Sequence, residues 1–321
     1  MYITASSTIS FQPTFRNKGF SSEISELSGA LEIHHPDYAD FIPKMKRRRM
    51  TDVLKMGITC AMDCLKQIDL EQPDSIIVGT SMGCNTFTKK FLDKINSSKG
   101  GLLSPTSFIV STHNTIAGQI SLLLGNHNYN MTHTQNSLSF EQALMDGILC
   151  VLEGGENILV GSSDENESEL YNMVSRLNRK DLLSTFGASF FILSKEKIAQ
   201  EDIKLVGADS FGLIEDRPKA LNQFLISNNT SAENIDLVLY SNSNTETVNE
   251  LKDFFSTQKL FNFQKVTGTY FTNPGFAMNY GVDILRKGKH PSFEKKINRI
   301  LIYNNLIPEN LGLILIEKNS D

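Results

Sequence analysis

The residues with the clearest chemical potential stand in a polar elbow between a short strand pattern, Tyr129–Thr132, and the helical pattern that follows it. In an α/β protein, a strand that turns sharply into a helix exposes the first helical residue beside the free N–H groups and positive dipole end of that helix. A nucleophile in such a position is activated for acyl transfer. This elbow instead presents Gln135, a neutral carboxamide that cannot carry an acyl thioester.

Two serines and a histidine flank Gln135 and offer a second chemistry. His133 stands two residues before it, and Ser137 and Ser139 follow it. A Ser–His hydrolase of this type carries its serine in a G-x-S-x-G elbow and orients its histidine with a carboxylate. The motif is missing, and the sequence offers His133 no identifiable carboxylate partner, so we expect no serine hydrolase.

Cysteine and histidine spacing gives little support for a metal centre. No C-x-x-C occurs, and the adjacent pair His34 and His35 has no third ligand at helical or hairpin spacing. We therefore expect no metal, no organic cofactor, a solvated histidine pair, and free thiols buried in helices. The four thiols belong to Cys60, Cys64, Cys84 and Cys150.

The composition is that of a globular protein and argues against electrostatic binding of nucleic acid. The chain has 321 residues, of which 21 % are charged and 40 % hydrophobic, and its formal net charge is −5. Its first residues lack the basic flank and apolar run of a secretory signal, and no apolar stretch approaches the roughly 20 residues of a membrane helix. We expect a cytoplasmic protein with no nucleic-acid or membrane partner.

Hydrophobic periodicity indicates the elements that position the elbow. The densest basic run, residues 44–49, precedes apolar residues at helical spacing from Met50 to Leu65, so we expect it to form the cap and first turn of that helix. A buried strand is expected at Ser75–Val78, followed by a V-G-T-x-x-G turn that lacks the ending of a Walker motif and the spacing of a dinucleotide fingerprint. A second buried strand is expected at Asn157–Gly161.

The order of residues before the elbow resembles the active-site motif of the β-ketoacyl synthases of the thiolase superfamily. That motif reads roughly N-x-x-A-G-x-I-S-x-x-x-G-x-x-x-N-Y, then five residues and the catalytic cysteine, and the cysteine position falls on Gln135. In the family, glutamine at this place is associated with chain-length factors, the non-condensing partners of type II polyketide synthases, and with decarboxylating loading domains. The fixed positions are filled by Asn114, Ala117, Gly118, Ile120, Ser121, Gly125, Asn128 and Tyr129.

The resemblance extends to two segments that carry the catalytic histidines of the family. IDLVLYSNSNT aligns with the first segment and puts Ser241 in place of its histidine, and QKVTGTYFTNPGFAM aligns with the second and puts Thr269 there. In the family these histidines polarise the malonyl thioester carbonyl during decarboxylation. A loading domain still requires both histidines, so the resemblance favours a chain-length factor.

A further segment stands where the family has a glycine-rich loop whose N–H groups hold an oxyanion. The corresponding residues are YNNLIPENLG, with Ile307, Pro308 and Glu309 in the glycine region. Proline has no N–H to donate, and glutamate puts negative charge where negative charge would have to develop. The resemblance therefore implies a subunit that is not an enzyme on its own.

The fold implied by the resemblance is α/β and thiolase-like, with two duplicated halves in a layered α-β-α-β-α arrangement. We place the N-terminal half, with the degenerate elbow, at residues 1–184 and the C-terminal half, with the altered histidine and oxyanion segments, at residues 185–321. Residues 166–184 are expected to be helical and polar, and Phe186–Leu193 is expected to be the strand that opens the second half.

The partner implied by the resemblance is a catalytic β-ketoacyl synthase subunit in a heterodimer, with an acyl carrier protein engaged through the complex. In the family, the strand before the elbow pairs antiparallel with its mate across the dimer. Here that strand comprises Tyr129, Asn130, Met131 and Thr132. The residues expected to face the acyl tunnel or the partner are Phe87, Phe91, Ser111, Thr112 and His113, with core packing as the alternative for the two phenylalanines.

Several finer assignments stay open on the sequence alone. The compact length resembles the short chain-length factors of aryl-polyene and flexirubin-type pigment pathways. Docking of an acidic carrier protein is a second option for Arg47, Arg48 and Arg49. The alternatives to a chain-length factor are an acyl-thioester-processing enzyme with a non-cysteine mechanism and a homodimeric acyl-binding scaffold.

Overall fold

A ten-stranded sheet forms the framework of the molecule. The computed structural model describes residues 1–29, 31–98, 106–165, 183–198, 202–242, 244–255 and 259–319. The strands are β1 (Tyr2–Ile9), β2 (Ser75–Gly79), β3 (Tyr129–His133), β4 (Asn157–Asp164), β5 (Gly187–Ser194), β6 (Ile203–Phe211), β7 (Leu237–Tyr240), β8 (Lys259–Asn262), β9 (Arg299–Asn304) and β10 (Leu311–Lys318).

Helices cover both faces of this sheet, and local side chains fix several of their ends. The Asp216 side chain caps one helix by accepting from the Lys219 N–H, and Asn244 caps another by accepting from the Thr247 N–H. The described helices are α1 (Lys44–Arg47), α2 (Asp52–Gln67), α3 (Asn85–Ser97), α4 (Thr106–Ile109), α5 (Thr115–Leu124), α6 (Ser139–Leu152), α7 (Arg217–Ser227), α8 (Thr245–Phe254), α9 (Gln264–Thr267) and α10 (Pro274–Lys287).

The strand order repeats between the two halves of the chain. It runs β3-β2-β4-β5-β1-β6-β10-β9-β7-β8, so the first five strands and the last five have the same order, outward from the centre. β1 and β6 join the halves through a single register pair, Tyr2 and Lys204. In the first half, β2 lies between the parallel strands β3 and β4. In the second half, β7 lies in the same way between the parallel strands β8 and β9.

The repeat places β5 in the first half, because this strand pairs with β4 and β1. Phe186–Leu193 therefore does not open the second half, as the sequence suggested, but closes the first. We propose that the two halves meet between β5 and β6, rather than at the 184/185 boundary predicted from sequence.

Three buried apolar clusters define five layers. The first lies between the two halves of the sheet and contains α6 and α10, through residues such as Phe140 and Phe276. The second packs α2 and α5 on the outer face of the first half, and the third packs α7 and α8 on the outer face of the second. Side chains alternate along each strand, so that Ile77 enters the first cluster and Ile76 the second. The predicted α-β-α-β-α arrangement is confirmed.

The observed elements correct several local expectations. Residues 44–47 form the separate short helix α1, and α2 begins only at Asp52, so the basic run is not the first turn of α2. Cys60, Cys64 and Cys84 are buried, as predicted, but Cys150 is only partly buried, since it lies in the last turn of α6, where Leu149 and Leu152 are also exposed. Most of the segment predicted as a polar helix, residues 166–182, lies outside the described residues.

Across the described ranges, the helices are too short or too polar to span a lipid bilayer.

Candidate functional site

Gln135 stands at the turn between β3 and α6, where the sequence predicted the elbow. Its side chain is exposed, the next residue Asn136 adopts a left-handed φ of 51°, and a short 3₁₀ turn, Asn136–Leu138, leads into α6. The Ser139 hydroxyl fixes this turn by accepting from the Gln135 N–H at 2.9 Å and donating to the Asn136 carbonyl at 2.8 Å. The helix terminus is thus built for a reactive group and displays a carboxamide.

The start of α6 lies directly against the end of β2. A Cβ atom on Gly79 would come within 2.7 Å of the Ser139 carbonyl carbon, so only glycine fits there. The Thr80 N–H also donates to the His133 carbonyl at 3.0 Å, which joins the end of β2 to the end of β3. The glycine turn after β2 is therefore a packing element of the elbow, in keeping with its lack of a phosphate-loop motif.

Ser241, which the sequence resemblance aligned with the first catalytic histidine of the family, is fully buried and hydrogen-bonded to the segment at the end of β9. Its hydroxyl donates to Asn304 Oδ1 at 3.1 Å and accepts from the Asn305 N–H at 2.9 Å. A serine in this position has no proton to exchange near neutral pH and no positive charge to offer a thioester carbonyl. Its role in the described structure is to hold the Asn304 turn.

Asn304 connects that turn to the elbow. Its Nδ2 donates to the Ser137 carbonyl at 2.7 Å and to Glu141 Oε1 at 2.8 Å. Asn310 Nδ2 reaches the Ser137 hydroxyl at 3.0 Å from the other end of the same loop. Side-chain amides thus occupy the space between the elbow and the altered oxyanion loop.

The altered loop itself faces outward. Pro308 and Glu309 are exposed and Ile307 is half-buried. The Pro308 carbonyl accepts from Arg217 Nη1 at 3.1 Å, and the Glu309 carbonyl accepts from the Ile214 N–H at 2.8 Å. These contacts tie the loop to the start of α7.

Thr269, which the sequence resemblance aligned with the second catalytic histidine, is also buried. Its hydroxyl accepts from Gln264 Nε2 at 3.3 Å, and Gln264 Oε1 accepts from the Asn242 N–H at 2.7 Å. Gln264 therefore links the segments that would carry the two histidines. The cavity beside Thr269 measures about 30 Å³, which is enough for roughly one water molecule.

Glu141 is a buried carboxyl of this network that the sequence analysis missed. The side chain has no exposed surface, and burial raises its pKa to about 7, although the hydrogen bond from Asn304 acts in the opposite direction. Oε2 has no hydrogen-bond partner among the described residues. Helical spacing could have indicated that Glu141 is buried. Position 141 lies three residues before Leu144 and three after Leu138, and both leucines are on the buried face.

Asp164 fixes the loops around the site from the end of β4. Its Oδ1 accepts from the Thr80 hydroxyl at 2.9 Å and the Ser81 N–H at 2.8 Å, and Oδ2 accepts from the N–H and hydroxyl of Thr272 at 3.1 and 2.8 Å. Burial raises the pKa of this carboxyl, while the four donors lower it. Asp164 therefore joins the end of β4 to the loop after β2 and to the segment before α10.

His133 has a carboxylate partner, contrary to the sequence analysis. Its Nε2 lies 2.8 Å from Asp146 Oδ2, and the Tyr129 hydroxyl donates to the same oxygen at 3.2 Å. Residue 146 lies about two turns into α6, and no spacing rule linked it to β3. Ser137 and Ser139 are fully buried, and among the described residues no hydrogen bond joins either serine to His133, so a hydrolase triad is not assembled.

Exposed apolar side chains occur on β3 and on the helices α3, α4 and α5. Among the described strands β3 pairs only with β2, and Tyr129 and Met131 are exposed on it. Helix α3 has no fully buried residue, and its Phe91 ring lies 5.2 Å from that of Phe108, which is 56 % exposed. The further exposed apolar side chains of this part of the chain are Leu92, Ile95, Ile109 and Leu122.

The remaining residues of the predicted partner surface lie around α3. Phe87 is half-buried and packs against the cluster of α2 and α5. The Ser111 carbonyl accepts from the Thr88 hydroxyl at 2.9 Å, Thr112 and His113 are exposed, and the His113 backbone packs against Gly83. Their assignment to a tunnel wall stays a prediction.

Comparison with known proteins gives one family. The model of the β-ketoacyl synthase N-terminal domain matches residues 26–208, which is more than half of the chain. No curated protein matches significantly.

Solved structures of the same fold cover the whole chain. A β-ketoacyl synthase from Burkholderia phymatum is 11 % identical with a TM-score of 0.80, and each chain is 99 % covered. The ketosynthase ApeO in complex with its chain length factor ApeC, from Xenorhabdus doucetiae, gives 12 % identity and a TM-score of 0.77, with 99 % of this chain and 98 % of the other covered. A complex named AntDE:AntF, a type II polyketide synthase acyl-carrier protein with its ketosynthase, gives 17 % identity, a TM-score of 0.74 and 99 % coverage of both chains.

Because the family model matches more than half of its length, the chain belongs to the β-ketoacyl synthase family.

Proposed function

We propose that the chain is a non-catalytic, chain-length-factor-like subunit that pairs with an active β-ketoacyl synthase and shapes the tunnel for the growing acyl chain. The observation that carries the proposal is the elbow itself. The position that needs a thiolate carries the exposed carboxamide of Gln135, although the surrounding turn retains the geometry that would present a nucleophile.

The two histidine positions support the same conclusion. Ser241 and Thr269 are buried and engaged in side-chain hydrogen bonds that hold neighbouring segments together. Neither group could polarise a malonyl thioester as an imidazole does. Restoring chemistry would therefore need changes at several separate places.

The surface around β3 supports a partner. An unpaired strand edge with exposed Tyr129 and Met131 favours association with another chain, and α3 and α4 carry further exposed apolar side chains. One structural neighbour is named as a ketosynthase in complex with its chain length factor. We propose a heterodimer with an active synthase, served by an acyl carrier protein through the complex, as in type II polyketide or aryl-polyene-like biosynthesis.

The test is co-expression with a β-ketoacyl synthase encoded beside it. We expect a one-to-one complex that has elongation activity only when assembled. In the Phe91→Ala complex we expect a product longer by one or two two-carbon units, because the substitution removes an aromatic ring from the proposed tunnel wall. Phe254→Ala is the matched control, because Phe254 is also a half-buried phenylalanine but lies on α8 in the opposite outer layer.

Two results would contradict the proposal. Elongation of malonyl-primed substrates by the isolated chain would show that it's an enzyme with another mechanism. A stable homodimer that binds none of the synthases tested would instead support an acyl-binding scaffold. Unchanged product lengths in a Phe91→Ala complex that still assembles would remove Phe91 from the tunnel wall.

A further inference from the structure

We propose that a polar cavity at the end of α10 opposite the elbow binds a small phosphorylated anion. The cavity has a volume of about 220 Å³ and lies between β1, the end of α2, the segment 14–20 and α10. Arg286, which lines it, is twelve residues beyond Pro274, the first residue of α10, or about 18 Å along the helix. This site is separate from the proposed subunit function.

The cavity exists because the two halves of the sheet diverge beside β1. β1 pairs with β6 only at Tyr2, which leaves the backbone of its later residues without a strand on that side. The Gln67 side chain partly takes the place of a strand, since its amide donates to the Ser6 carbonyl at 2.9 Å and accepts from the Ser6 N–H at 3.4 Å. Polar groups of the protein thus line a recess that a continuous sheet would have closed.

The two carboxylates in the wall are already supplied with donors. Asp63 accepts from Arg16 Nε at 2.6 Å, the Ser7 hydroxyl at 2.8 Å and Gln67 Nε2 at 3.1 Å. Asp283 accepts from the backbone N–H groups of Gly19 at 2.7 Å and Ser21 at 3.0 Å. Neither carboxylate needs a bound cation for its hydrogen bonds.

The cations in the wall exceed what these carboxylates neutralise. Arg16, Lys18, Lys66 and Arg286 all line the cavity, against Asp63 and Asp283. The four cationic and two anionic side chains leave an excess of two positive charges. The C-terminal ends of α2 and α10, each equivalent to about half a negative charge, offset part of this excess. A net charge of about +1 remains in a recess partly shielded from solvent, which favours a dianion over a monoanion.

Two of these cations retain free donors. Within the described residues Arg16 bonds Asp63 only through Nε, so its two terminal nitrogens have no hydrogen-bond partner, and its guanidinium lies 4.8 Å above the Phe41 ring. Arg16 also adopts a left-handed φ of 53° and lines the cavity. Lys18 has no acidic partner among the described residues and is exposed at the same mouth.

The size and donor set select the ligand class. The volume exceeds that of a single phosphate group and accommodates pyrophosphate or a small phosphate monoester. A planar guanidinium with free terminal nitrogens is suited to bidentate binding of phosphate oxygens.

The test is isothermal titration of the full chain with inorganic phosphate and with pyrophosphate, at a constant ionic strength of about 0.15 M. We expect saturable binding with a dissociation constant of about 1 mM or below for pyrophosphate. Lys18→Gln should weaken it about fivefold, and Arg16→Gln should weaken it more. Lys219→Gln is the control, because it removes one charge from an exposed site on α7 in the far outer layer.

Three outcomes would overturn the site. These are no saturable binding of either probe up to about 10 mM, binding of malonate as tight as that of pyrophosphate, and unchanged binding in Lys18→Gln. Arg16→Gln removes a contact of Asp63 and could perturb folding, so Lys18→Gln, an exposed position, keeps the result interpretable.

Discussion

Replacement of Glu141 by glutamine should change how stability depends on pH. The folded protein holds this carboxyl with a pKa of about 7 because burial removes it from water, against an ordinary value of 4.5. Each tenfold change in proton affinity corresponds to about 1.4 kcal/mol. The raised pKa therefore makes the free energy of unfolding about 3 kcal/mol lower at pH 8 than at pH 4 or below.

The direction follows from which state holds the proton. Between pH 4.5 and about 7 the folded carboxyl keeps a proton that the unfolded chain has lost, so stability falls as the pH rises through this window and is level above it. Glutamine keeps an acceptor for Asn304 Nδ2 and carries no charge at any pH. Relative to the wild type, Glu141→Gln should thus gain about 2.5 kcal/mol between pH 5 and pH 8.

Equilibrium urea unfolding at pH 5, 6, 7 and 8 measures this difference. Because only the change with pH is compared, any pH-independent effect of the substitution on the free energy of unfolding cancels. Glu153→Gln is the matched control, since it makes the same change at an exposed position just beyond the far end of α6. Its pH profile should run parallel to that of the wild type. If the Glu141→Gln profile is also parallel to the wild type, Glu141 is ionised in the folded state throughout, and the account of its burial is wrong.

Three further predictions concern the elbow and its supports. Gln135→Cys should be alkylated readily by iodoacetamide, because the position is exposed, yet the isolated variant should not elongate malonyl thioesters; recovered elongation would refute the reasoning from Ser241 and Thr269. Gly312→Ala should lower the free energy of unfolding by about 1–3 kcal/mol in urea, because a Cβ there would lie within 2.6 Å of the Glu141 carboxyl carbon, and an unchanged midpoint would contradict it. Asp164→Asn should destabilise by about 2–4 kcal/mol, since one acceptor oxygen becomes an amide that faces donors, and retention of the wild-type melting curve would show that the four hydrogen bonds are not needed.

Strands and layers were predictable because burial follows simple periodicities. The strands Ser75–Val78 and Asn157–Gly161 were predicted as runs of buried residues. In the structure they begin at the same residues and end slightly later, at Gly79 and Asp164. The elbow was predictable for the same reason, as a polar segment between two such patterns. The sequence analysis placed the boundary between the halves before β5, because β5 is buried on both faces and the sequence does not indicate which strands flank it.

The contacts within the site were not predictable from spacing. Asp146 meets His133 because α6 lies against β3, and Glu141 meets Asn304 because the two halves meet face to face at the elbow. Both contacts join segments whose distance along the chain varies with loop length. The partial exposure of Cys150 arose similarly from where α6 ends, a boundary that single-residue propensities define poorly.

The burial of α10 makes the two halves inseparable. Twelve of its fourteen residues are buried, and it packs on β5 of the first half as well as on β9 and β10 of its own. In a fragment that begins after β5, the side of α10 that packs on β5 would be exposed to solvent. In a fragment that ends after β5, the inner face of the first half of the sheet would lose its contact with α10. Split-protein reporters cut at this point should therefore assemble only when both pieces are synthesised together, and gene duplication followed by fusion would have been locked in once this helix became shared.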